Sequence, residues 1–125
     1  MFCNQKTHTM TTKQQRIKDL FTTAFEGGSN YWAEMRVNLK PINQHLSPSE
    51  RIFEAVMRGN EFRIFDVENP SDVLGKLNKA NLNKGYSLMI ANHEEHYADV
   101  LSERWDASTA DVFLQLAVLG EITFG

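Results

Sequence analysis

Ile17-Lys18-Asp19-Leu20-Phe21-Thr22-Thr23-Ala24-Phe25-Glu26-Gly27-Gly28-Ser29-Asn30-Tyr31-Trp32-Ala33-Glu34-Met35-Arg36-Val37-Asn38-Leu39 changes its hydrophobic period halfway, and that change decides the fold. Ile17, Leu20, Phe21, Ala24 and Phe25 recur at three and four residues, which draws one apolar stripe along a helix. Gly27 and Gly28 end it, because glycine takes up a helix C-cap without strain. Beyond them Tyr31, Ala33, Met35, Val37 and Leu39 alternate with polar residues, the period of a strand whose odd side chains are buried. Trp32 is the single large apolar residue on the polar side. A helix followed by a half-buried strand places the chain in the α+β class.

Working outward, Thr12 and Gln15 have the spacing of a capping box at the start of that first helix. Ser47-Pro48-Ser49-Glu50 opens a second helix with serine as cap and proline in the first turn, and Gly59 closes it. Glu61 to Val67 reads as a strand. Ser71 is placed to cap a short helix carrying Val73, Leu74 and Leu77, and Tyr86 to Leu101 reads as one longer helix after Lys84-Gly85. Ser108 and Asp111 make a further capping box for Ala110 to Leu119, a helix apolar nearly all round and therefore the most buried. Glu121 to Phe124 alternates as a last strand. The expected architecture is α+β, with a small antiparallel sheet of about three strands covered by four to five helices. The two glycine-marked ends should meet over that sheet. Residues 1–10 read as a disordered tail and 11–125 as one domain.

The whole chain has 125 residues, 42% hydrophobic and 23% charged, with a formal charge of −3. At that length folding removes roughly two thirds of the extended chain's surface from water, enough for a core without cross-links. Cys3 is the one cysteine, which excludes an intramolecular disulfide framework and a cysteine-rich zinc site. A reducing, cytoplasmic location is the expectation. No signal-like block or run of about 18 apolar residues appears, so no membrane association is expected. From Tyr86 onward Arg104 is the one basic residue against seven carboxylates. Phosphate-gripping proteins cluster Lys and Arg, so direct nucleic-acid binding is not expected.

Three groups of residues are candidates for chemistry. His93, His96 and Asp99 are three apart on a helix, imidazoles and a carboxylate of the kind that hold zinc or iron. The spacing misses the His-Glu-x-x-His pattern, and no second Glu-x-x-His copy completes a di-iron set. The plain alternative is a packed helix flank. Asp111 and Gln115 lie one turn apart on the apolar helix and need partners, since an unpaired buried polar group costs about 1–3 kcal/mol. Asp111 has the cap to satisfy it; Gln115 has no local partner and suggests a loop, a strand edge or a ligand. The stretch Gly27-Gly28-Ser29-Asn30-Tyr31-Trp32 is the third group, with Gly27, Gly28, Tyr31 and Trp32 as its ligand-binding candidates. Glycines admit a close backbone approach, and aromatics offer stacking faces. A core tryptophan or a homodimer interface competes with that reading. Glu121, on the same expected sheet, joins Tyr31, Trp32, Asp111 and Gln115 as a ligand-binding candidate. No nucleophile constellation, catalytic set or cofactor motif is present in the sequence.

Ala24-Phe25-Glu26-Gly27-Gly28-Ser29-Asn30-Tyr31-Trp32 and the closing run Asp106 to Gly125 resemble a set of small proteins encoded by bacteriophages and prophages. The shared marks are a glycine pair before Tyr31-Trp32, and Ala110-Asp111, Gln115, Gly120-Glu121 and Gly125 at the other end. The resemblance implies a viral or prophage origin and no catalytic residue. The functional expectation is an accessory protein that binds a protein or a small ligand. Two alternatives stand beside it: a small enzyme or ligand sensor with its site at the Gly27-Gly28/Trp32 turn, and a metal protein using His93 and His96.

Overall fold

The structure is a computed structural model that describes residues 10–36 and 46–125. Met10, the last residue of the expected 1–10 tail, packs partly buried against the core. Residues 1–9 of that tail and the strand end at Val37 to Pro41 lie outside the described residues. Within them the order is α1 (Thr12–Thr23), a π-helical turn (Ala24–Gly28), β1 (Ala33–Met35), α2 (Pro48–Met57), β2 (Phe62–Asp66), β3 (Val73–Leu77), α3 (Lys79–Asn92), α4 (Glu94–Leu101) and α5 (Ala107–Leu119). This is an α+β fold with a small three-stranded antiparallel sheet.

The first helix begins one residue earlier than its polar pattern predicts. Thr11 caps it, with Gln14 returning the bond to the Thr11 amide, both at 3.1 Å. Gln15, expected in that role, instead bonds Asp19 on the next turn. Ile17, Leu20, Phe21 and Ala24 are buried along the expected stripe. The helix then widens into the π turn, closed by the Ser29 amide on the Ala24 carbonyl five residues back at 3.0 Å. Gly28 is required there by contact: a Cβ would stand 2.8 Å from the Ala107 carbonyl oxygen at the start of α5. In α2 the expected box of Ser47 and Glu50 forms as read. Glu26 of the π turn accepts from Ser49 at 2.6 Å, tying the two segments.

The sheet runs β1-β2-β3, with Met35 opposite Ile64 and Ile64 opposite Gly75. Ile64 and Leu77 point under the helices and are buried. On the outer face the Arg36 guanidinium covers the Phe65 ring at 3.9 Å. Two strand assignments are corrected. Val73 to Leu77 is a strand rather than a Ser71-capped helix, because Asn69-Pro70-Ser71-Asp72 makes a tight turn closed by the Asp72 amide on the Asn69 carbonyl at 2.8 Å. Gly75 lets that strand lie against α5, where a Cβ would meet the Val118 carbonyl at 2.5 Å. Glu121 to Phe124 is not a strand. Gly120 ends α5 in the left-handed conformation (φ 83°), and the residues beyond it are irregular.

The first strand also starts later than its alternation predicts. Tyr31 and Trp32 are in a turn, with the Trp32 and Ala33 amides both on the Ser29 carbonyl. Their side chains therefore escape the strand period: Tyr31 is half exposed, and Trp32, expected on the polar side, is 1% exposed.

The last helix is the centre of the core, as its all-round apolar pattern predicts, with Phe113, Leu114, Leu116 and Ala117 buried. α3 packs on it through Gly85, whose Cβ would fall 2.7 Å from the Ala117 Cα. Gly85 is thus a mid-helix contact and not a start. The helix begins at Lys79, capped by Asn78 on the Asn81 amide at 2.7 Å. It breaks at His93 (φ −135°, ψ 60°) instead of running on to Leu101. Tyr86 and Tyr97, from the two pieces, meet edge to face at 5.7 Å. Among the described residues no helix is long and apolar enough to cross a membrane.

Candidate functional site

Asp111 gathers the turn after the glycine pair. Its Oδ1 accepts from the Ser29 hydroxyl at 2.8 Å and from the Trp32 indole N–H at 2.7 Å. Its Oδ2 accepts from the Tyr31 hydroxyl at 2.5 Å and from Gln115 Nε2 at 3.0 Å. Four donors fill the acceptor capacity of one carboxylate. None of them is cationic, so the 8% exposed Asp111 is held by dipoles alone. Burial of its hydroxyl, then its bond to Asp111 and that carboxylate's charge, pushes the Tyr31 phenol up to about 12.

The expected Ser108–Asp111 capping box does not form. Asp106 caps α5 instead, accepting from the Ser108 and Thr109 amides at 3.0 and 3.4 Å. The helix therefore starts at Ala107, and Asp111 sits beyond the first turn, out of reach of the free amides and free to face the turn.

Gln115 is satisfied by the end of the chain. Its Oε1 accepts from the Thr123 amide at 2.8 Å and the Phe124 amide at 2.9 Å, while Nε2 donates to the Phe124 carbonyl at 2.9 Å. Phe124 lies stacked on Trp32, 5.3 Å between centroids and 10° from parallel. The two glycine-marked ends do meet, through side chains and without strand pairing.

Of the expected ligand-binding residues, Tyr31, Trp32, Asp111 and Gln115 form this one cluster. Gly28 serves the contact with α5, Gly27 has open space at its Cα, and Glu121 is exposed and makes no bond to the cluster. His93, His96 and Asp99 are not brought together: His93 occupies the helix break, and His96 Nδ1 is 3.3 Å from the Thr109 hydroxyl. Among the described residues no group of three His, Cys, Asp or Glu side chains is arranged to hold a metal ion.

Sequence reasoning included Ser29 in the glycine-turn stretch without giving it a role, and missed Phe124 as a partner and the cleft beside them. Ser29 was legible as the polar residue following the glycine pair; Phe124 was concealed in an alternation that mimics a strand. The cleft, of about 400 Å3, opens between the π turn and the sheet. Phe25, Ala33, Met35, Ile64, Val67 and Leu114 supply apolar wall, with Asn30 and Glu34 as polar groups. Its size is that of an ordinary small-molecule pocket, and among the described residues that line it none is cationic. Ser29, shared by the cleft and the Asp111 cluster, fixes one wall.

Comparison with protein-family models, with curated proteins and with solved structures gave no match for the chain.

Proposed function

We propose that the protein works by binding, and that a small, largely apolar ligand without negative charge occupies the cleft between the π turn and the sheet. One observation carries the reading: a cleft of about 400 Å3 with apolar walls stands beside the glycine-pair turn, where a ligand is expected from sequence. The Asp111 cluster supports it by holding Ser29 in place, since a site built on a fixed wall loses less ordering entropy on binding. Glu34 at the cleft is paired with Arg36 at 2.9 Å, so the polar edge carries no free charge and, with the apolar walls, favours a neutral ligand. The phage and prophage resemblance supports an accessory role in such a host. Catalysis is the weaker reading, because the carboxylate that a reaction would use already accepts four internal bonds.

Ala33→Trp fills the cleft from its sheet side. Nile red, a neutral dye that brightens in apolar surroundings, should bind the parent protein saturably and lose at least about tenfold in affinity on that substitution, a change of about 1.4 kcal/mol. Equal dye binding by a folded Ala33→Trp protein, or no saturable binding by the parent, refutes the assignment of the cleft.

A further inference from the structure

Residues 121–125 have few attachments. Among the described residues their hydrogen bonds go to one side chain, Gln115, and their ring contact to one partner, Trp32. Glu121, Ile122 and Thr123 are exposed, and the left-handed Gly120 joins them to α5. Gln115 reads two successive amides and a carbonyl of irregular backbone while the indole receives a flat aromatic ring, so one side chain and one ring supply the recognition of the segment.

We propose that Gln115 and Trp32 form a seat for a short segment bearing an aromatic residue, and that the same segment of a second copy of this chain takes it by exchange. The second copy is favoured because its Thr123 and Phe124 carry the matching groups by construction. Exchange of an identical element forms no contact that the single chain lacks, so its intrinsic cost is low. An empty seat is unfavourable: it exposes the indole face and strands a carboxamide's donor and acceptor. Three residues separate α5 from Thr123, a reach of roughly 10 Å, so exchanging copies must bring their α5 ends together. A tether this short competes at an effective concentration in the millimolar range, so undamaged chains stay mostly closed on themselves. This inference is independent of the cleft.

Complementation isolates the exchange. Gln115→Ala destroys the seat and keeps the tail; Phe124→Ala destroys the tail and keeps the seat. Each alone should scatter light as one chain of 14.3 kDa. Mixed in equal amounts at about 1 mM they should give a species of about twice that mass, because only the mixture pairs an intact seat with an intact tail. A mixture that stays monomeric overturns the proposal. If it stays monomeric yet takes up a synthetic Glu-Ile-Thr-Phe-Gly peptide, the seat belongs to another protein's segment and the second copy is refuted. Should either variant fail to fold, amide exchange of the parent decides: Thr123 and Phe124 must exchange at least roughly 100-fold faster than Leu116. Protection equal to that of Leu116 means the tail never leaves and sinks the idea.

Discussion

The indole N–H of Trp32 donates to the Asp111 carboxylate at 2.7 Å across 79 residues of sequence. That bond joins the turn after the glycine pair to the central helix, and through Gln115 to the end of the chain. Asp111→Asn puts an amide N–H2 where two donors already point. The loss should be about 2–4 kcal/mol, the range for a buried, charge-accepting group left mismatched. Urea unfolding measures it, and a change below about 0.5 kcal/mol would show that the cluster is not a structural centre.

Trp32 is core, not a free interface. Trp32→Ala removes a 1% exposed indole, its bond to Asp111 and its stack on Phe124. We expect a loss of about 3–5 kcal/mol and a melting temperature lower by well over ten degrees. A shift of only a few degrees in thermal denaturation would return the residue to the candidates for partner contact.

Gly85 sets two known effects against each other. Alanine in an exposed helix interior is better than glycine by up to about 1 kcal/mol. Here the added Cβ meets the Ala117 backbone at 2.7 Å, and the two helices must separate. Crowding costs about 1–3 kcal/mol, so Gly85→Ala should be net destabilising. A raised melting temperature would contradict the close packing of α3 on α5.

Tyr31 gives the fold an alkaline limit. Its phenol ionises near 10 when unfolded and is pushed up to about 12 in the fold, so the folded state binds the proton more tightly. The stabilisation is fully present below pH 10 and is lost as the pH rises from there through 12. Tyr86 shifts in the same direction through burial, so it shares the effect. Stability measured between pH 9 and 11.5 should fall less steeply in Tyr31→Phe than in the parent. Parallel curves would mean that the Tyr31 hydroxyl is not held by Asp111.

Local signals in the sequence were read well where one residue type does one job. The Ser47-Pro48-Ser49-Glu50 start and the all-round apolar α5 needed no tertiary information. The segment Val73 to Leu77 did not reveal itself, since three apolar residues around Gly75 and Lys76 fix neither a helical nor a strand period; its pairing with β2 makes it a strand. Asp111 was misread as a cap because Asp106, two residues before Ser108, competes for the same amides. The break at His93 carries no glycine or proline, so no residue type in the sequence marks it. Four of the seven ligand-binding candidates gathered, but around one another; the apolar walls of the cleft beside them come from positions that each look like ordinary core.

Gln115 grips Thr123 and Phe124 at separations of eight and nine residues. The interval from Gln115 to Phe124 is therefore a ruler: one residue inserted or deleted between Gly120 and Ile122 would slide the aromatic off the indole and present the wrong amides to the carboxamide. Related sequences that keep this architecture should vary freely in side chain at Ile122 while tolerating no change of length there. The length of that short span is then a geometric constraint on folding, independent of anything the protein binds.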